Sequence, residues 1–583
     1  MLRRFTHPTR ALCATAIALL IAAAPLPSRA EPAVGPYLAA EHAVRNGDVA
    51  GAAMYYAQAL AGDQSNTTLL ERTILAKVAA GQVETAVPIA RRLDAIEPGH
   101  AFGALVLAAD AIRRGAPDAA REALAAVPSD GSQFLGLLLG AWSHVSAGDV
   151  PAAVKALAEL EADEKLGTAG QMMAAYHLGL VEASAGNDAA AAEALARAAE
   201  KADTPTLRLV RIQAGVLARL GRAEEARALI TGRLERTLGD TRLEELERAI
   251  ADGTRPAPVV TTAAQGAGEA FFGLSGYLSR GANRTVGLAY ARLASFLDPD
   301  LIEAKLLTAQ MLRVTQQYDA AIAAYESVPR DAPEALEAMI GRAESMQLAE
   351  RADAAIVAMR EVAARYPRSI EAQNALGDLL RREERFEEAA VAYDATIRLL
   401  PQIEPHHWVL FYQRGIAYER SKQWDLAEPD FLRALELEPD QPLVLNYLGY
   451  SWIEMGRNFA EARAMIEKAV EQRPEDGYIV DSLGWVLYRL GEYQGAVEQL
   501  ERAVEINPVD PVINDHYGDA LWMIGRRTEA RFQWKRALSF EPEEKDLTRI
   551  RRKLEVGLDT VLAEESASGT PAVLGAADAK NGG

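Results

Sequence analysis

Small and apolar residues recur along the C-terminal half of the chain at a nearly constant spacing. Five glycines are 38, 34, 35 and 34 residues apart: Gly377, Gly415, Gly449, Gly484 and Gly518. An alanine follows each glycine by twelve or thirteen residues, at Ala389, Ala427, Ala462, Ala496 and Ala530. A proline follows each glycine by twenty-four or twenty-five residues, at Pro401, Pro439, Pro474, Pro508 and Pro542. This spacing predicts a repeated pair of packed helices.

Each recurring residue has a physical role in such a pair. A glycine in the first helix and alanines in the second, such as Gly484 with Ala496, remove side-chain bulk and let the two helices approach closely. Glycines at 456, 491 and 525 provide a left-handed residue at the turn between the helices. The closing proline disfavours helical geometry at the residue before it, so the second helix ends there.

Weaker copies of the pattern extend towards the N-terminus. Units begin near 334, 302 and 268, and further turn glycines are Gly47, Gly81, Gly115, Gly186 and Gly221. The stretches 33–240 and 268–544 correspond to about 6.1 and 8.1 units of 34 residues. The sequence therefore predicts an all-α chain of about fourteen degenerate repeats in two blocks.

The period and the repeated residues from 370 to 544 resemble the tetratricopeptide repeat (TPR). This resemblance implies an α-solenoid, a right-handed superhelix of antiparallel helix pairs whose concave side binds protein segments. The predicted domains are an N-terminal block at 31–251, a linker at 252–267, a C-terminal block at 268–544, a capping helix at 545–565 and a disordered tail at 566–583. The linker is interpreted either as a hinge or as a surface loop between continuously packed blocks.

The first thirty residues have the pattern of a secretory signal peptide. Arg3, Arg4 and Arg10 are followed by an uncharged stretch from Ala11 to Ala24, which prolines break ahead of the segment Ser28-Arg29-Ala30. We expect cleavage after Ala30 and a periplasmic protein; a retained membrane anchor is the alternative. The only cysteine, Cys13, lies in the removed segment, so the mature chain would form no disulfide and hold no thiolate metal site.

Charge and motifs narrow the function classes. The formal net charge of −20 disfavours nucleic-acid binding, because that affinity depends on basic groups that neutralise phosphates. The chain has no phosphate-binding, zinc-protease or nucleophile-elbow motif, so we expect no enzyme activity, no cofactor and no metal site. The pair His406 and His407 is interpreted as two exposed histidines on a loop.

The geometry of the repeat predicts which residues face a partner. Ten residues on the first helices of the last four units are expected to line the concave side: Tyr412, Asn446, Tyr450, Tyr478, Asp481, Trp485, Tyr488, Asp515, Asp519 and Trp522. The aromatic residues are natural anchors for a peptide or helix, or else they pack against neighbouring units. The aspartates favour basic or hydrogen-bond-donating segments. A clamp for a C-terminal carboxylate is not supported, because Asp481 and Asp515 stand at two of its positions.

A second resemblance concerns about 100 residues of the C-terminal block. Residues 445–452 (LNYLGYSW), 476–485 (DGYIVDSLGW), 514–519 (NDHYGD) and 532–534 (FQW) are similar to a group of exported bacterial TPR proteins. That group includes the lipidated adaptor of a periplasmic C-terminal processing protease, whereas this chain has no lipidation motif. The resemblance implies a periplasmic scaffold or adaptor that binds a protease or peptidoglycan hydrolase, with only indirect membrane association. The alternative is a structural component of an envelope polysaccharide or protein export machine.

Overall fold

The computed structural model describes residues 34–125, 127, 133–235, 240–279, 281 and 283–567. Within these ranges the chain forms thirty-one α-helices, two short 3-10 turns and no strand. The predicted signal peptide at 1–30 lies outside the described residues, as does the tail from 568 onwards. Helices divide between two compact units, unit 1 ending at Ala375 and unit 2 beginning at Leu376.

The helices of unit 1 are short and follow one another closely. The first thirteen are α1 Val34–Arg45, α2 Val49–Gly62, α3 Thr67–Ala79, α4 Val83–Ile96, α5 Ala101–Arg113, α6 Pro117–Ala125, α7 Gln133–Ser146, α8 Val150–Ala162, α9 Gly167–Ser184, α10 Asp188–Glu200, α11 Leu207–Arg219, α12 Ala223–Leu234 and α13 Thr241–Ala251. The next seven are α14 Ala263–Leu278, α15 Arg284–Leu297, α16 Ile302–Val314, α17 Tyr318–Glu326, α18 Ala335–Leu348, α19 Ala352–Arg365 and α20 Ile370–Arg382, the last of which extends into unit 2.

Unit 2 continues the same pattern. Its helices are α21 Phe386–Leu399, α22 Trp408–Arg420, α23 Trp424–Leu437, α24 Pro442–Glu454, α25 Phe459–Gln472, α26 Gly477–Arg489, α27 Tyr493–Ile506, α28 Pro511–Met523, α29 Arg527–Ser539, α30 Glu544–Val556 and α31 Leu558–Ala567. Six pairs, from α1/α2 to α11/α12, precede the single helix α13, and eight pairs run from α14/α15 to α28/α29. The predicted all-α repeat architecture is therefore confirmed.

The recurring glycines have the contacts that the sequence pattern predicts. A Cβ on Gly484 would lie 2.5 Å from Leu500 Cγ, and one on Gly518 would lie 2.5 Å from Trp534 Cδ1. In these two pairs the first helix therefore meets the second helix at a point that accepts no side chain. At the turns between helices, Gly491 and Gly525 have φ of 78° and 83°, the left-handed region that glycine enters at low cost.

The segment 252–267, expected to be a linker, lies inside unit 1. Its first part packs against α11, where Arg219 Nη1 donates a hydrogen bond of 3.1 Å to the carbonyl of Pro256, and Val260 is buried. Its last part is already helical, because α14 begins at Ala263. This segment therefore packs against α11 within unit 1, and its role as a hinge or as a surface loop stays a prediction.

Helices α14 and α15 turn back onto the first block. The first helices α3, α5, α7 and α9 adjoin one another, and α14 packs against α5, α7 and α9, while α15 packs against α3 and α5. Glycine makes this close approach feasible, since a Cβ on Gly266 would overlap the Trp142 ring at 2.3 Å. The glycines that suggest a loop by composition serve here as contact points between helices.

Two further features differ from the expectations. The predicted capping helix at 545–565 consists of two helices, α30 and α31, because Gly557 between them has φ of 86°. His407 is buried, not exposed, and its Nδ1 accepts a hydrogen bond of 2.8 Å from the Glu404 amide. Among the helices that the structure describes, none combines the length and the apolar character that a membrane span requires.

Candidate partner-binding surface

The ten residues predicted to face a partner all lie on the first helices of successive pairs in unit 2. These helices are α22, α24, α26 and α28, and α26 adjoins both α24 and α28. We call the surface that they form the inner surface. The structure divides the ten residues into a partly open group and a buried group.

The partly open group contains Tyr412, Asn446, Tyr450, Tyr478 and Trp485. Tyr478 is 61% exposed, and the other four are half-buried. Tyr412 packs edge-on against Tyr447 with ring centroids 5.9 Å apart, and burial raises its pKa to about 12. Burial likewise raises the pKa of Tyr450, with a further contribution from Glu454. The partly open group thus combines four aromatic rings that carry polar edges with the half-buried amide of Asn446.

Trp485 stands in the middle of an aromatic stack. Its ring lies 4.1 Å from that of His516 at 18° and 4.8 Å from that of Tyr488 at 12°. Its Nε1 donates a hydrogen bond of 2.7 Å to Glu454, which also pairs with Arg489 at 3.0 Å. The indole is thus fixed in orientation while part of it stays accessible, which is the combination that a binding anchor needs.

The buried group contains Asp481, Tyr488, Asp515, Asp519 and Trp522. Asp481 pairs with His516 Nδ1 at 3.0 Å. Burial alone would lower the pKa of the His516 imidazole, but the carboxylates of Asp481, Asp515 and Asp519 outweigh burial and hold that pKa above its ordinary value. The fold therefore favours the charged form of His516, which faces the Asp481 carboxylate as an ion pair.

This raised pKa predicts a pH-dependent stability. A raised folded-state pKa of histidine contributes stability that is complete below the unfolded value near 6.5 and is lost as pH rises through the folded value. We expect His516→Gln to destabilise unit 2 more at about pH 6 than at about pH 9. Urea unfolding at both pH values, followed by tryptophan fluorescence, measures the difference. His406→Gln, at an exposed histidine, serves as the control; an equal loss at both pH values would contradict the ion pair.

Asp515 and Asp519 belong to a buried ion cluster with Arg549 and Lys553. Lys553 Nζ lies 2.6 Å from Asp515 Oδ1 and 2.7 Å from Asp519 Oδ1, and Arg549 Nη1 lies 3.0 Å from Asp519 Oδ2. Trp534 Nε1 donates a further hydrogen bond of 2.9 Å to Asp519. Burial raises the pKa of Asp515, whereas Lys553 and Arg549 together outweigh burial at Asp519 and lower its pKa.

The ion cluster corrects the expectation that these aspartates line an open wall. Lys553 and Asp519 are 0% exposed, so both charges are removed from water and satisfied within the chain. Trp522 is also covered, because Gly557 at the end of α30 lies against its ring. In this structure the basic segment that the aspartates were expected to attract is α30 of the same chain. The partner-binding role of the ten residues stays a prediction.

Residues that sequence reasoning missed are His516, Arg549 and Lys553. The apolar face of α30 includes Ile550 and Leu554. A signal was present beside it, since Arg549 and Lys553 are four residues apart on one side of the helix and flank that apolar face. Nothing in the sequence says that this side faces the aspartates of α28, because the partners are 38 and 30 residues away.

The chemistry of the inner surface is that of binding. Its aspartates Asp481, Asp515 and Asp519 are paired with basic side chains, and the described residues contain no group of three or more His, Cys, Asp or Glu placed to hold a metal ion. Aromatic faces and ion-pairing groups recognise the side chains of a helix or peptide.

Comparison with known proteins identifies the repeat. The tetratricopeptide repeat family matches residues 138–206, 349–402 and 453–511. A TPR repeat-containing protein of Pseudomonas aeruginosa, PA4667, is 34% identical over 96 residues, which is 16% of this chain. The chain spans 16% of the length of that relative. The chain therefore contains tetratricopeptide repeats, which generally mediate protein–protein interactions and generally lack catalytic activity.

Solved structures resemble the chain more distantly. The APC/C hetero-tetramer Cut9-Hcn1 structure gives a TM-score of 0.37 at 16% identity, over 83% of this chain and 94% of the other. A tetratricopeptide repeat protein from Parabacteroides merdae gives a TM-score of 0.37 at 14% identity, over 44% of this chain and 98% of the other. These resemblances are too remote to carry an argument about function.

Proposed function

We propose that this protein is a non-catalytic adaptor that binds a helix or extended segment of a partner protein on the inner surface of unit 2. The observation that carries this proposal is the partly open group, in which Trp485 is held by Glu454 and by stacking yet remains half-exposed. A rigid aromatic side chain loses little conformational entropy on binding, so it contributes affinity efficiently. Several such contacts along one array add avidity.

The proposal includes export to the periplasm. The pattern of residues 1–30 supports export, and the absence of cysteine after Cys13 suits an oxidising compartment. N-terminal sequencing of the mature protein tests this part. We expect the first residue to be Glu31, recovered in the periplasmic fraction; a cytoplasmic protein with its first thirty residues intact would contradict it.

The proposed partner is an envelope protease or a cell-wall hydrolase. Support comes from the resemblance of residues 445–534 to exported TPR adaptors of this kind. The test combines affinity purification of the full chain from bacterial envelopes with a measurement of how fast the enzyme's substrate is degraded in cells with and without the gene. We expect such an enzyme to copurify, and we expect degradation of its substrate to slow when the gene is removed. Recovery of export or polysaccharide-assembly components alone would favour the structural alternative and overturn this proposal.

A further inference from the structure

In each unit, a pair of helices packs over a surface formed by the first helices of the repeats. The two covering pairs differ in how many of their residues are buried. In unit 1 the covering pair is α14 and α15, in which seven of 16 and eight of 14 residues are buried. In unit 2 the covering pair is α30 and α31, which we call the C-terminal cover. Only Ile550 and Lys553 are buried in the 13 residues of α30, and only Leu558 and Val561 in α31.

The C-terminal cover lies along the inner surface. Lys553 and Arg549 reach the aspartates of α28, and the charge of Arg549 also acts on Tyr488 of α26. Towards the beginning of α30, the charge of Asp546 acts on Tyr450 of α24. With a rise of about 1.5 Å per residue, α30 is about 20 Å long, which matches a helix that crosses several repeats.

The contacts of the C-terminal cover are mostly polar. Ion pairs hold α30 at Asp515 and Asp519, and Arg531 Nη1 donates a hydrogen bond of 2.6 Å to the carbonyl of Leu554. A helix with few buried apolar side chains opens at a lower free energy than the core beneath it. In contrast, α28 has ten buried residues among its 13.

We call the surface on which α30 packs the seat of α30. Among the described residues, this surface includes buried polar groups that have no hydrogen-bond partner. Tyr488 is 0% exposed, and within the described residues its hydroxyl has no hydrogen-bond partner. The same holds for Trp522 Nε1, although that ring is buried. A buried polar group without a partner destabilises the folded state, so a ligand that supplies a partner gains affinity over α30.

We propose that the seat of α30 is a binding site for an amphipathic helix of a partner protein that presents a lysine or arginine to Asp515 and Asp519. Without a partner, α30 itself occupies this site, and we call it the resident helix. The partner helix displaces it. The proposal rests on the proposed function and specifies its partner chemistry. The apolar face of such a helix would replace Ile550 and Leu554, and its cation would replace Lys553. The resident helix defines these requirements because it already meets them.

A peptide with the sequence of residues 544–567 serves as the probe for this site. Its fluorescein-labelled form is titrated into the full mature chain, and binding is followed by anisotropy. In the wild-type chain the tethered resident competes at high effective concentration, so we expect weak binding. In the Lys553→Met chain the resident loses its cation, and we expect the wild-type peptide to bind at least about tenfold more tightly. Lys535→Met, at an exposed lysine, is the matched control and should behave as wild type.

Two results would overturn the proposal. One is equal peptide affinity for the wild-type and Lys553→Met chains. The other is equal affinity, for the Lys553→Met chain, of the wild-type peptide and of a peptide carrying the same Lys553→Met change, since recognition of the cation should cost at least about tenfold. Because the peptide assay uses no natural partner, its outcome is independent of the purification that tests the proposed function.

Hydrogen exchange on the unmodified chain provides a measurement that needs no variant to fold. We expect the amides of α30 and α31 to exchange at least about a hundredfold faster than those of α28, because the cover opens without the core. Exchange of α30 and α28 at the same rate would identify the cover as a permanent part of the core and would overturn the proposal.

Discussion

Replacement of Arg208 by alanine is expected to lower the free energy of unfolding of unit 1 by about 3–5 kcal/mol. Arg208 Nε donates hydrogen bonds of 2.9 and 3.1 Å to the carboxylate of Glu269, and its Nη1 contacts Glu303 at 2.5 Å. Glu269 lies on α14 and is only 1% exposed. Without the guanidinium, this carboxylate remains buried with the Tyr176 hydroxyl as its remaining partner, at 3.0 Å.

The measurement is hydrogen exchange of peptides from α7 and α14, which report the unfolding of unit 1. Arg222→Ala is the matched control, because Arg222 pairs with Glu225 on the surface of a helix, where solvent screens the pair and the expected loss is small. Equal effects of the two substitutions would contradict the burial of α14 against the first block. A loss confined to Arg208→Ala supports it.

Replacement of Gly518 by valine is expected to lower the free energy of unfolding of unit 2 by about 2–3 kcal/mol. A Cβ at this position would lie 2.5 Å from two atoms of the Trp534 ring and 3.2 Å from the carbonyl oxygen of Ala530. Trp534 is fully buried and donates to Asp519, so it has no space to move aside. The helices α28 and α29 must therefore separate, and that separation disturbs the ion cluster beside them.

Urea unfolding followed by tryptophan fluorescence measures this effect, because six of the seven tryptophans lie in unit 2. Gly495→Val is the control: Gly495 lies within α27 of unit 2, where the added Cβ would make only an ordinary contact, 3.4 Å from Leu487 Cδ1. In a helix interior, valine is favoured over glycine by a few tenths of a kcal/mol, so the control should be nearly neutral. A similar small effect at Gly518 would mean that the recurring glycines do not set the distance between the helices.

The sequence predicts the helix pairs, because these depend on the spacing of residues within one repeat. Small residues at a period near 34 determine where helices pair, and the structure has six pairs before α13 and eight after it. The four repeats between 302 and 437 lack the turn glycine. Their turn position holds Gln316, Glu350, Glu384 and Lys422 in place of glycine, each with φ between 55° and 62°. The left-handed turn is kept there at a cost of about 1–2 kcal/mol per residue.

Contacts between residues that are far apart in the sequence could not be predicted. The composition around Gly266 indicates a loop, and only the Trp142 ring, 124 positions away, shows that it is a helix contact. Arg211 pairs with Glu334 across 123 residues in the same way. For the inner surface, repeat geometry identifies which helix faces carry Asp515 and Asp519, but the occupant that neutralises them is encoded in Lys553.

The central claim is that the inner surface of unit 2 is where a partner binds. Its most direct test is photocrosslinking from two aromatic positions of equal exposure, Tyr478 on α26 and Phe532 on α29, which are 61% and 62% exposed. A photoreactive phenylalanine analogue replaces one or the other in the full chain, expressed in cells. We expect the partner to crosslink from position 478 and not from position 532. A partner captured from position 532 alone, or equally from both, would contradict it.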